Sequence, residues 1–175
     1  MNKTVMKLQK YSIGTGDRFG CQGKAQLKAI IKAKEENLDI AIVWNKSHRE
    51  HVIIGTTPAD VLDEAQSAIR ELNWSGSYYI DADHVSFSNI DLFIDSSSFF
   101  TLDVADMIGQ RASDEEINLF IEKYERFQGK TNIPNLDEPL MVNDDILRTI
   151  TAKYLLAVKE AGRIYRKIEK KKRSK

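Results

Sequence analysis

Short apolar runs of strand length alternate along this chain with stretches in which apolar residues recur every three or four positions, predicting β and α elements in turn. Tyr11 to Gly14 reads as a first strand, entering a turn from Gly14 to Gly20 rich in residues that tolerate positive φ. Leu27, Ile30, Ile31 and Lys34 then share one helical face, and Asn37 closes that helix. Asp39 to Trp44 is nearly continuous in apolar residues, the mark of a strand buried on both faces.

A polar loop is predicted from Asn45 to His51, with a short extra strand over Val52 to Ile54. Thr57, Pro58 and Asp60 supply an N-cap, a first helical position and a first-turn acid, ahead of a stripe of Val61, Leu62, Ala65, Ile69 and Leu72. Ser77 to His84 is the central strand candidate, an apolar ribbon that ends abruptly in Asp81, Asp83 and His84. Ile90 to Ile94 follows as a short helix and Phe99 to Asp103 as a fourth strand. Ser113 and Glu116 form a capping box before Ile117, Phe120, Ile121 and Tyr124. Gly129 to Leu140, with Pro134 and Pro139, reads as an irregular connection, and Asn143 caps a long helix whose stripe runs from Leu147 to Ile168.

Four strands separated by helices imply an α/β fold with a parallel sheet, flanking helices and a long C-terminal helix. A closed barrel of eight such units needs about 250 residues. The 175 residues here suit either a small open α/β domain or the amino-terminal portion of a larger one.

The charge balance is zero, yet residues 163–175 hold eight bases and one acid, leaving the preceding residues acidic. The run Lys170 to Arg173 is read as solvated rather than as a nucleic-acid surface, since no aromatic residues interleave it. Cys21 is the one cysteine, which excludes an intramolecular disulfide and suits a reducing compartment. No apolar run is long enough for a bilayer, and the amino terminus lacks the continuous apolar core of a signal peptide, so a cytoplasmic protein is expected.

In a parallel sheet all strand ends lie on one side, which would gather Asp17 and Arg18, Asn45, Lys46 and His48, Asp81, Asp83 and His84, and Asp103 and Asp106 on one rim. Mixed acids, an imidazole and fixed cations suit a polyhydroxylated anion held with a divalent metal cation. Each group also has a plain structural reading. Gly14, Gly16 and Gly20 miss the dinucleotide spacing by one residue, which points to a tight link rather than a nicotinamide site. Asp17 and Arg18 suit a structural pair as well as a site. His48 and His51 have H-x-x-H spacing but sit in a charged stretch without supporting ligands, so His51 reads as a solvated loop histidine. Asp103 and Asp106 read as caps. Asp81, Asp83 and His84 divide evenly between a functional site and a hydrated strand end.

Several separate segments, in order, carry a resemblance: Tyr11 to Gly20 with Gln22 to Leu27, Val43 to Ser47, Asp81 to His84, Asp103 to Asp106, and Ala161 to Tyr165. Together they resemble the tagaturonate epimerase family of bacterial hexuronate catabolism, over nearly the whole chain but only the amino-terminal portion of that family's length. The resemblance implies an isomerase interconverting D-tagaturonate and D-fructuronate on a TIM-type (β/α) barrel, of which residues 1–175 would be a part. It implies Asp83 as proton acceptor and His84 as a ligand to a divalent metal cation, with the remaining ligands and the proton donor beyond this chain. Asp17, Arg18, Asn45, Lys46 and Asp81 are the expected substrate-binding residues, with Arg18 ahead of Lys46 for the substrate carboxylate. A related metal-dependent aldolase or isomerase of another sugar acid, or a non-catalytic module that completes its barrel by association, are the competing readings.

Overall fold

The computed structural model describes residues 8–174. They divide into two compact units: one runs to Leu102 and takes in the end of the chain from Lys167, and the other spans Asp103–Arg166.

The first unit contains β1 (Ser12–Gly16), α1 (Gly23–Glu35), β2 (Ala41–Ser47), α2 (His48–Ile54), α3 (Pro58–Glu71), β3 (Tyr78–Val85) and β4 (Phe99–Leu102). The four strands are all parallel and lie in the order β1-β2-β3-β4. Ile42, Trp44 and Ile80 face Leu27 and Ile30 of α1 and Val61, Ala65 and Ala68 of α3, so both helices cover the same side of the sheet. Leu27 is fully buried there, and its truncation to alanine would cost about 3 kcal/mol. The opposite side holds a small apolar cluster of Ala41, Val43 and Tyr79 with Phe99 against it. Residues two further along these strands are polar, and this is how the sheet delivers chemistry to one end.

Two features of the sequence set the helix starts. Thr57 stands at the N-cap of α3 with Pro58 at its first position, as the spacing predicts, and Asp60 Oδ2 accepts from the Thr57 N–H at 2.6 Å and the Thr57 hydroxyl at 2.8 Å. α1 begins without a side-chain cap of its own, and Glu64 of α3 accepts a 2.6 Å bond from the Gly23 N–H instead.

Residues 45–54 differ from the expected loop and extra strand. β2 continues through Ser47, and Val52 to Ile54 belong to α2. Three successive β-branched residues favour a strand by propensity, but the Ser47–Glu50 capping box starts a helix and Gly55, at φ 69°, ends it. His51 is consequently a buried helix residue, 3 % exposed, rather than a solvated one.

The second unit contains α4 (Asp114–Lys123), β5 (Gly129–Thr131), β6 (Leu140–Val142) and most of α5 (Asp144–Arg173). Ala112, Ile117, Ile121, Leu147 and Leu155 form its core. The predicted caps are present: Ser113 with Glu116, and Asn143 Oδ1 accepting from the Ile146 N–H at 2.8 Å. The stretch read as wholly irregular is bounded by β5 and β6, which pair antiparallel over three residues each. Pro134 and Pro139 lie between them, where they interrupt no ladder.

The basic end of α5 is not simply solvated. Lys167 and Lys171 each approach Asp91 at 2.6 Å, Lys172 Nζ donates to the Ser97 carbonyl at 2.7 Å, and Lys167 lies over the Phe87 ring. These lysines tie the helix end to the β3–β4 connection of the first unit. No helix among the described residues is long and apolar enough to cross a membrane.

Candidate functional site

The carboxyl ends of β1, β2 and β3 border a cleft of about 400 Å³ lined by Gly16, Arg18, Phe19, Gln22, Asn45, Glu50 and Asp83. Pairing of Asn45 with both Gly16 and Asp81 puts these residues on the side of the sheet away from α1 and α3. Lys46, one residue on, pairs with Ala82 and is buried on the other side. The structure therefore brings Arg18, Asn45 and Asp83 together and leaves Lys46 outside the cleft.

Asp81 and Asp83 alternate along β3 and so share the cleft side. Asp81 is buried and spoken for: its oxygens accept from the Thr101 N–H at 3.0 Å and the Thr101 hydroxyl at 2.8 Å. Burial, assisted by the Asp83 charge, raises its pKa despite the Thr101 bonds. Asp83 extends one step further, to the cleft wall.

His84 breaks the alternation. Its φ is 54°, and the β3–β4 register slips between Ala82 and Val85. The bulge leaves its Nδ1 2.7 Å from Asp83 Oδ1, with the imidazole 67 % exposed and the carboxylate 17 %.

The β1–α1 loop is organised from within by Asp17, whose carboxylate accepts from the backbone N–H groups of Phe19, Gly20 and Gln22 at 2.8, 2.9 and 2.6 Å. Burial opposes its ionisation, but these bonds and the Lys46 charge outweigh it and hold the pKa low. Asp17 thus shapes the loop that carries Arg18 and is not itself in the cleft lining. Of the two histidines of α2, His51 bonds Thr56 Oγ1 at 2.9 Å and lies against Phe93. Burial and the nearby Lys46 charge push its pKa down to about 4. Asp103 and Asp106 belong to the second unit, where Asp103 accepts from the Ala105 N–H as a local cap.

The fit of these residues to a divalent cation is partial. With Nδ1 held by a carboxylate, Nε2 of His84 is the ring nitrogen suited to coordination, the usual orientation of a metal-binding histidine. Among the described residues no three His, Cys, Asp or Glu side chains gather to hold an ion. A cation held through His84 would need further ligands.

Glu50 and Gln22 are cleft residues that the site prediction omits. Glu50 was legible in one respect, because Ser47-x-x-Glu50 is a capping-box spacing and implies a helix at the end of β2. Gln22 carries no such signal.

A parallel sheet covered by helices on one side, with a carboxylate–imidazole pair, an amide and a guanidinium at its strand ends, defines an α/β protein with a polar cleft at the sheet mouth. The chain belongs to the tagaturonate epimerase family, whose model it matches over residues 1–175. A tagaturonate/fructuronate epimerase of Thermotoga maritima is 30 % identical over 138 residues, which are 77 % of this chain and 27 % of that protein. Among solved structures, the native fructuronate-tagaturonate epimerase of Cohnella laeviribosi aligns with a TM-score of 0.69 at 22 % identity, covering 93 % of this chain and 35 % of that one. A glycerol complex of the same enzyme aligns at 0.68 with 22 % identity, covering 91 % and 34 %. The chain thus spans about a third or less of the length of these relatives, and the structural likeness is one of fold.

Proposed function

We propose that this chain is the amino-terminal part of a metal-dependent epimerase that interconverts D-tagaturonate and D-fructuronate in the cytoplasm. The observation that carries the reading is the convergence of Asp83, His84, Asn45 and Arg18 at one sheet mouth in a chain of this family. Strand order without reversal, and helices on one side only, suit an arc of a TIM-type barrel rather than a doubly wound sheet, which changes direction at a switch point. The outer edges of β1 and β4, unpaired among the described residues, would then meet further strands.

The two sugar acids differ at C4, which is β to the ketone, so proton removal beside the carbonyl does not reach the stereocentre. Retro-aldol chemistry does. Asp83 takes the C4 hydroxyl proton, the C3–C4 bond breaks, and its electron pair moves to the ketone as an enediolate, leaving an aldehyde at C4. Rotation of the aldehyde and re-addition on its other face restores the bond, and return of the proton completes an exchange with no net oxidation. A divalent cation, when bound, supplies Lewis-acid polarisation of the ketone oxygen, with His84 as one of its ligands. Arg18 offers its planar fork to the substrate carboxylate, and Asn45 is placed for a hydroxyl.

The test is conversion of D-tagaturonate in D₂O by the protein carrying this chain. D-fructuronate free of deuterium at C4, with slow leakage of dihydroxyacetone, is the expected outcome. Deuterium at C4 would rule out the carbon–carbon cleavage route, and no conversion with any divalent metal would overturn the assignment.

A further inference from the structure

Arg18 is 79 % exposed at the cleft rim, a position in which an arginine ordinarily samples many rotamers. Here its Nε lies 3.3 Å from Glu50 Oε1. Glu50 is itself anchored: its Oε2 accepts from the Ser47 N–H at 3.0 Å and the Ser47 hydroxyl at 2.9 Å, and its side chain is only 18 % exposed. Burial opposes its charge, but the Ser47 bonds, with Arg18 and Arg49, hold its pKa below the usual value. An unbroken set of contacts therefore runs from the end of β2 through Ser47 and Glu50 to Arg18.

We propose that Glu50 is a positioning residue for substrate binding, fixing the Arg18 guanidinium by its Nε side so that its outer pair of N–H groups stays aimed at a sugar-acid carboxylate. The inference rests on the reading of Arg18 as the carboxylate anchor and goes beyond it. The same acid that caps α2 sets the geometry of a cation on a different loop, so the starts of two βα connections are held in register. Glu50 carries a negative charge beside an anion site and would weaken binding if it acted only by Coulomb repulsion. Its removal therefore separates the two roles: loss of affinity signals orientation, and gain signals repulsion.

The experiment titrates D-tagaturonate into the ¹⁵N-labelled protein carrying this chain, with a saturating divalent metal, following the Arg18 Nε–H resonance in wild type and affinity in Glu50→Gln, Arg18→Ala and the double variant. Gln retains an acceptor for Ser47 while removing the ion pair. Wild type should shift and saturate, Glu50→Gln should bind about tenfold more weakly, and the double variant should bind no worse than Arg18→Ala, the non-additivity of two residues acting as one. Neutral D-tagatose should not distinguish wild type from Glu50→Gln. Unchanged or tighter binding in Glu50→Gln, or a loss that persists in the Arg18→Ala background, overturns the positioning role while leaving the anchor in place. Unchanged binding in Arg18→Ala, or no binding by wild type, removes the anchor reading and this inference with it.

Discussion

Asp83 Oδ1 lies 2.7 Å from His84 Nδ1 although the two are sequence neighbours, an arrangement an unbroken strand would forbid by pointing them to opposite faces. It exists because His84 takes φ 54°, a left-handed conformation that a histidine adopts at a cost of about 1 kcal/mol. Asparagine tolerates that conformation better. His84→Asn should therefore leave the thermal midpoint equal or higher while lowering metal stoichiometry and activity, measured by calorimetry and metal analysis. A clear loss of stability would mean that the bulge is structural rather than functional.

Asp83→Asn removes the proposed base and keeps a hydrogen-bonding side chain beside the imidazole. The turnover number should fall at least about 100-fold with little change in KM, since a general base acts in the transition state rather than in binding. Wild-type turnover in that variant would take Asp83 out of the mechanism.

Asp81 is buried with its carboxylate bonded to Thr101, and its raised pKa records the cost of ionising it there. Asparagine can accept from the Thr101 N–H and donate to its hydroxyl without carrying charge. Asp81→Asn should be neutral or stabilising by about 1 kcal/mol at pH 7. Because protonation lowers the cost of the wild-type side chain, that advantage should shrink as pH falls through the raised pKa. Denaturant melts at two pH values check both statements.

What was legible in the sequence and what was not divide on physical lines. Caps and turn residues act locally, so Thr57 with Pro58, Ser113 with Glu116, and Asn143 could be placed from spacing alone. The four strands were legible because their apolar runs are buried by α1, α3 and the sheet itself. The end of β2 was not: Asn45, Lys46 and Ser47 are polar yet extended, since their partners are backbone groups of β3, which no local pattern reveals. That error hid the alternation that separates Asn45 from Lys46, and with it the place of Glu50 in the cleft. The His84 bulge depends on a register slip between two strands and had no sequence signature either.

His51 gives a pH-dependent stability with a definite sign. Its folded pKa of about 4 lies below the ordinary 6.5, because the imidazole is buried and faces the Lys46 charge, with His48 adding in the same direction and Asp60 and Glu50 opposing. The unfolded chain therefore binds a proton that the folded chain refuses. Stability contributed by neutral His51 is complete above about pH 6.5 and falls, at up to about 1.4 kcal/mol per pH unit, down to about pH 4. His51→Gln, which can still bond Thr56, should flatten this part of the profile. An unaltered slope would assign the pH dependence to other groups.

Two glycines near the cleft separate backbone need from room for a ligand. Gly20 has φ 74°, so Gly20→Ala should cost about 1 kcal/mol through conformation alone. Gly16 lies in β1 and has no such requirement; a Cβ there would meet Asn45 Oδ1 at 3.6 Å, an ordinary contact. The fold thus tolerates alanine at 16, but the added methyl would stand in the cleft lining beside Asn45. Gly16→Ala should keep the wild-type melting temperature and weaken D-tagaturonate binding several-fold, with Gly16→Val weakening it further. If both variants melt as wild type and bind as wild type, the sugar acid does not rest against β1, and the part of the cleft nearest Asp83 alone would have to hold it.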